Sequence, residues 1–388
     1  MEKSYSNSKN YFPNLDGLRF IGSLIIIIFH IEDIKFINNR PTFSPLRYYN
    51  LVGNMDVSLF FVLSGFLITF LLLKEKKDTG DISLKSFYTK RALRIWPLYF
   101  LIVIAGFFIL PHICWFNEDY SSNIYKHFWP YFIATLLFLS PFVRSASGLP
   151  RTIGPIWSVG VEEFFYLCWP VLLKITKKYL VVFFSVALLV LFVRNALLLG
   201  DDFWSWRELY NTLFRFVRGV IMQYRISCMA IGGIGAYWVV FEKNKILKLI
   251  YRKDIQWATY IITIGLLLLK IGIKPIAKEN FPSIYYEIYS VLFMVIIVNL
   301  ATNPRSILNL DYKWMNYLGK ISYGLYMYHP ILRIFSLRMT ESIFKREISG
   351  WQMNLMLYAG TLIFTIIIAI ISYEFFEKGF LKLKSKFA

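Results

Sequence analysis

Ten long apolar runs separated by short polar breaks dominate the chain and set the terms for any fold it can adopt. They cover residues 20–36, 57–73, 97–110, 157–173, 180–199, 226–241, 257–269, 285–300, 321–337 and 351–376. Helices of about that length cross the roughly 30 Å hydrocarbon core of a bilayer, where every backbone polar group must be bonded internally. The pattern predicts an all-α polytopic membrane bundle of about ten transmembrane helices. An eleventh apolar piece, 128–142, is short and carries Pro130 and Pro141 near its ends, which fits a re-entrant or interfacial segment as well as a crossing.

Charge separates this reading from its rivals. The net charge of +19 would suit a nucleic-acid binder, but the Lys and Arg residues sit almost wholly in short loops between apolar runs. Basic cytoplasmic loops explain that placement. The most basic loop, with Lys74, Lys76, Lys77, Lys85, Lys90, Arg91 and Arg94, lies between the second and third runs and is expected inside. Both termini are then expected inside as well. Cys114, Cys168 and Cys228 are scattered, no histidine stands at metal-ligand spacing, and no metal is predicted. The polar stretch 1–14 does not read as a signal peptide, and residues 1–388 are expected to form a single membrane domain with no appended soluble domain.

A few ionisable residues interrupt the apolar runs. His30 follows Arg19 by eleven positions, which returns to nearly the same helix face about 16 Å further along. Arg19 alone would pass for a positive-inside anchor and His30 alone for a packing residue. Sharing one stripe, they suggest a cavity. Arg91 and Arg94, read as lying in the loop before the third run, sit one helical turn apart, suited to one anionic group or to lipid head groups. Ser64 and Gly65 read as a helix-packing pair. Asp56 stands at the outer mouth of the second run.

Glu162 and Glu163 lie one to two turns inside the fourth run with no cation in the segment, a costly placement unless one of them serves a site. Such a carboxylate would orient His30 and stabilise its protonated form. If the run containing Gly319 to Pro330 enters from inside near Leu318, His329 lies about 16 Å deep, level with His30. Its neighbour Pro330 offers a second role, in which the ring satisfies carbonyls freed by a kink.

Taken together these segments resemble acyltransferase family 3 over essentially the whole chain. The match comprises Leu15-Asp16-Gly17-Leu18-Arg19, the Arg19–His30 spacing, and Phe60-Phe61-Val62-Leu63-Ser64-Gly65-Phe66-Leu67. The pair Arg91 and Arg94, the block Trp157-Ser158-x-x-x-Glu162-Glu163-x-Phe165-Tyr166, and Ser322-Tyr323-x-x-Tyr326-x-x-His329 complete it. The resemblance implies a bacterial inner-membrane O-acyltransferase moving an acyl group, acetyl foremost, from acyl-CoA to a carbohydrate or lipid-linked hydroxyl. It further implies His30 as catalytic base, with Glu162 or Glu163 beside it, and Arg19, Arg91 and Arg94 as CoA-binding groups. Asp56, Tyr323, Tyr326 and His329 are then candidates for an acceptor or supporting site. Gly324 and Phe164 depart from the common family pattern and are expected to bear on acceptor choice. The rival classes are a secondary transporter, which predicts inverted repeats not found here, and a non-catalytic membrane binding protein.

Overall fold

The computed structural model describes residues 11–40, 42, 49–117, 120–203, 208–272, 284–344 and 350–384, with side chains described outside 49–56, 198–203, 208–213 and 268–272. Among them are seventeen α-helices and no strand. In order these are α1 (Pro13–Ile37), α2 (Tyr49–Thr79), α3 (Leu84–Ile104), α4 (Ser122–Lys126), α5 (Phe128–Leu136) and α6 (Ser140–Ser145). There follow α7 (Trp157–Ile175), α8 (Tyr179–Phe203), α9 (Glu208–Gln223), α10 (Ile226–Val240), α11 (Asn244–Ile250) and α12 (Lys253–Gly272). The last five are α13 (Tyr285–Thr302), α14 (Lys313–Lys320), α15 (Ser322–Phe344), α16 (Gly350–Ser372) and α17 (Lys378–Leu383).

Each of the ten apolar runs is helical. Six helical stretches are long and apolar enough to span a membrane by length and composition, or seven if the bent pair Phe214–Val240 and Asn244–Ile250 is counted as one span. The count of ten crossings is therefore not reached on that criterion. The helices that fall short include α1 and α15, which carry the charged and imidazole groups of the interior. The piece 128–142 breaks at a turn where Phe138 has a φ of 61°, leaving α5 with nine residues. At 1.5 Å per residue such a helix reaches only about 14 Å, too short to cross. A second departure concerns Arg91 and Arg94. They lie within α3, not in a loop, because Ser83 caps that helix by accepting the Ser86 N–H, and regular structure runs from Leu84 to His112.

Close backbone approach holds the centre. A β-carbon on Gly65 of α2 would meet the Met229 carbonyl oxygen of α10 at 2.0 Å, and one on Gly232 would meet the Val62 oxygen at 2.1 Å. Small residues from each helix thus admit the other's backbone, which is how helices associate where lipid gives no hydrophobic drive. Beside them Arg194 of α8, fully buried, donates to Glu287 of α13 at 2.8 Å, and the Ser227 hydroxyl of α10 donates to the same carboxylate. Outward, α8 turns Leu188, Leu189 and Phe192 to the surroundings, as expected of a lipid-facing helix.

The start of α1 is fixed by its own sequence. Asn14 Nδ2 donates to the Leu300 carbonyl, while Asn14 Oδ1 accepts the Leu310 N–H. Gly17 lets the Leu310 backbone approach, and Gly319 lets α14 lie on the Asp16 backbone. This knot sets the register of α1, and with it the height of both Arg19 and His30.

Gly65→Val is expected to destabilise the fold by about 1–3 kcal/mol, since the clash is with backbone that cannot yield. Gly265→Val, where an added carbon meets nothing within 4 Å, is the control. Melting temperatures of the detergent-purified variants should separate the two; equal values would refute the close-packing account.

Candidate active site

A cavity opens between α1, α2, α3, α7 and α15. Its empty volume is about 890 Å³, the space at its mouth included, within the size range of small-molecule sites. Three guanidinium groups, those of Arg19, Arg91 and Arg94, line one part of it. Arg19 Nη1 donates to Asp16 Oδ1 at 2.5 Å, and Asp16 also accepts the Tyr11 hydroxyl, so the Asp-Gly-Leu-Arg segment holds its own arginine in place. Arg91 lies over the rings of Phe87 and Tyr166.

The middle of the wall is a closed polar triangle. Tyr166 donates to Glu162 Oε2 at 2.8 Å, and Ser64 Oγ reaches Glu162 Oε1 and the Tyr166 hydroxyl at 3.1 Å each. Glu162 is thus occupied with α2 and its own helix. Glu163 accepts from Trp96 Nε1 at 3.2 Å on α3 and is not among the cavity-lining residues. Neither glutamate bonds His30, contrary to the expectation of a carboxylate partner.

The partner is His329. His30 Nδ1 and His329 Nε2 are 2.7 Å apart, with ring planes 7° apart and centroids 4.9 Å apart, the geometry of an in-plane hydrogen bond between coplanar rings. The roles follow from the far end of the chain. His329 Nδ1 faces the Leu325 carbonyl at 3.3 Å, and a carbonyl only accepts, so the proton belongs on Nδ1. Neutral His329 then offers a lone pair on Nε2, His30 Nδ1 donates to it, and His30 Nε2 is left with a lone pair. His329 is fully buried and His30 partly exposed.

Arg19, Ile26 and His30 fall on one stripe of α1, and Ile26 belongs to the cavity lining, so His30 stands one turn beyond it. Tyr326, whose ring centroid is 5.7 Å from that of His329, also lines the cavity; its hydroxyl lies 2.7 Å from Ser158 Oγ and donates to the Pro155 carbonyl. Tyr323 lines the cavity and donates to the Ile95 carbonyl. Asp56 falls in α2, but its side chain is outside the described residues. Gly324 faces Ala369 and Glu377, and Phe164 faces Tyr224, so neither meets the cavity wall as a determinant of acceptor choice would.

Several groups escaped sequence reasoning. Arg333 Nη1 donates to the His30 carbonyl at 2.7 Å and to Asp33 at 3.1 Å, pinning the turn that carries the imidazole. Its spacing from His329, one helical turn, was the available signal. Asp16, Tyr166 and Ser158 likewise act through partners distant in sequence or in roles that spacing alone does not reveal. Among the described residues no group of three or more His, Cys, Asp and Glu comes together as metal ligands.

A polytopic helical bundle with a cavity lined by clustered guanidinium groups, and with a bonded pair of imidazoles one helical turn beyond its lining at Ile26, defines the class. A family model described as "Acyltransferase domain" matches residues 12–374, and the chain belongs to that family, acyltransferase family 3. It is 25% identical over 399 residues to the peptidoglycan O-acetyltransferase OatA of Listeria monocytogenes, covering 97% of this chain and 57% of that protein. It is 27% identical over 418 residues to the O-acetyltransferase OatA of Staphylococcus aureus, covering 100% and 62% respectively. The chain thus spans about three-fifths of the length of these relatives. No solved structure matches.

His329→Ala should leave a folded protein whose turnover falls about 10- to 100-fold, the range known for partners that orient metal-bound imidazoles. His329→Gln, which places an amide acceptor near the former Nε2, should recover part of it. Turnover and the acidic limb of its pH profile are the measurements; an unaltered profile in His329→Ala would remove the orienting role.

Proposed function

We propose that the chain is an integral membrane O-acyltransferase that carries an acyl group, acetyl foremost, from acyl-CoA to a hydroxyl of a carbohydrate or lipid-linked glycan. The observation carrying this reading is the cavity that begins among Arg19, Arg91 and Arg94 and ends one turn below an imidazole with a free lone pair. Eleven residues of α1 separate the arginine from the histidine, about 16 Å, a span comparable to an extended pantetheine arm. The names of the relatives favour acetyl as the group and a cell-wall glycan as the acceptor.

In this reading guanidinium groups hold the CoA phosphates at the cytoplasmic face while the thioester reaches His30. His30 Nε2 takes the proton of the acceptor hydroxyl as its oxygen attacks the thioester carbonyl. The carbon–sulfur bond then breaks, and the CoA thiolate leaves with the proton that His30 held. One hydroxyl becomes an ester and one thioester becomes a thiol, with no metal in the step. His329 keeps Nδ1 of His30 protonated, so that the base is Nε2 throughout. Glu162, through Tyr166 and Ser64, shapes the wall beside Arg91, and Tyr323 and Tyr326 line the path to the imidazoles. Exclusion of bulk water by the surrounding helices limits hydrolysis of the thioester.

The same reading places ten crossings in a bacterial inner membrane, with both termini in the cytoplasm and annular lipids around α8 and α16. Helices α1 and α15 are less apolar than the others because they carry charged residues that face the cavity and each other, a burden lipid-facing helices do not carry. Arg94 lies within electrostatic reach of Arg19 near the start of α1 and of Lys384 just past α17, so the start of α1, the end of α17 and the α2–α3 turn share one face. The basic α2–α3 segment argues that this face is cytoplasmic.

His30→Ala should lower acyl transfer by about 10²–10⁴-fold while the protein remains in the membrane. Labelled acyl-CoA supplied to membranes, with free CoA thiol as the readout, measures it. Full turnover in that variant would remove His30 as the base.

A further inference from the structure

A second cavity lies on the face where α2, α3 and α17 meet, enclosing about 2100 Å³ with the space at its mouth. Its lining includes Lys74, Lys85, Lys90, Arg91 and Lys384 against the carboxylates Glu75 and Asp78. Glu75 is already engaged, since its Oε1 accepts the Ser83 N–H. Among the described residues no ion pair includes Lys85, Lys90 or Lys384. The first turn of α3 borders the same groove at Lys85, where the positive end of the helix dipole favours an anion further, the Ser83 and Ser86 amides being already bonded to Glu75 and Ser83 Oγ.

Arg91 lines this groove and also the internal cavity. On α3 the positions 87, 91 and 94 form one stripe, so the helix carries a continuous track from the groove to the arginines inside. A ligand with one anionic group at Arg91 has a second, more exposed basic pocket within reach on the outward side.

We propose that this groove binds the nucleotide end of the acyl-CoA donor, with Lys85, Lys90 and Lys384 on its 3′-phosphate, while Arg91 and Arg94 hold the pyrophosphate at the neck. The inference rests on the acyl-CoA reading of the internal cavity. It adds the division of labour: groove for adenosine 3′-phosphate, neck for pyrophosphate, cavity for pantetheine. It also gives α17 a function, as the wall that closes the groove over α3 through Leu381 and Lys384.

A pH dependence follows. Burial, and then neighbouring Arg94, Arg91 and Lys90 from α3, push the Lys384 ammonium down to about 8. The other charged groups lining the groove are Lys74, Glu75, Asp78 and Lys85. A depressed ammonium is fully charged below that value and loses its charge as pH rises through it, so donor binding should weaken above about pH 8. A bound phosphate would shift the loss to higher pH.

The test uses three donors with the full-length protein in membranes: acetyl-CoA, 3′-dephospho-acetyl-CoA and acetyl-pantetheine. Lys85→Ala combined with Lys384→Ala should raise KM for acetyl-CoA about tenfold or more, the scale of charged hydrogen bonds lost. KM for acetyl-pantetheine, which has no nucleotide, should move less than about twofold. Lys85→Arg combined with Lys384→Arg should stay near wild type. If the alanine variant transfers normally with an unchanged KM for acetyl-CoA, or loses all three donors equally, the groove assignment is overturned. If the wild type uses none of the three donors, the donor reading itself fails and takes the groove with it.

Discussion

The hydrogen bond between His30 and His329 is the constraint around which the interior is arranged. Two imidazoles deep in a helical bundle are costly unless each nitrogen has a defined role, because unsatisfied polar groups lose their water and gain nothing in exchange. The chain from Leu325 O through His329 to His30 satisfies three of the four nitrogens and leaves one lone pair. That remaining lone pair is the chemically useful feature. Its position depends on α1 and α15 keeping their relative height to within a fraction of a turn.

The surrounding structure enforces that height at both ends of α1. At one end Asn14, Asp16 and Gly17 bind the loop near Leu310 and the helix α14 that leads directly into α15. At the other, Arg333 of α15 grips the His30 carbonyl and Asp33, while Lys35 pairs with Glu32, which also accepts the Tyr358 hydroxyl of α16. Breaking such a buried pair by removing one partner leaves an uncompensated charge, so these contacts resist slippage even where they add little net stability. The glycine-mediated approach of α2 and α10 then sets the wall opposite.

Much of this was legible in the sequence, and the omissions have a common cause. The length of the apolar runs located the helices that carry them, and the eleven-residue step from Arg19 to His30 put both on one stripe of the helix α1. Helix rise also put His329 level with His30. It could not say that the two rings meet, because they are 299 positions apart and depth along two helices leaves their facing angles open. Adjacent glutamates in an apolar run signalled a polar interior, yet the same logic could not choose between His30 and the Ser64–Tyr166 pair as the partner of Glu162. Arg194 and Glu287 are single charges in different runs, so nothing local announced their pairing. The Arg91–Arg94 pair was assigned to a loop because a basic stretch is polar on average, whereas α3 runs through it as regular helix and brings both arginines to the cavity wall.

In the proposed reading the cavity leads from arginines on the cytoplasmic side towards the imidazoles, one turn beyond Ile26. Ser64 lines it about midway, and cysteine is close to serine in size. With Cys114, Cys168 and Cys228 replaced by serine, Ser64→Cys should react with a membrane-impermeant thiol reagent applied to inside-out vesicles, and acyl-CoA should protect it. Labelling restricted to right-side-out vesicles, or labelling that acyl-CoA leaves unchanged, would contradict the account.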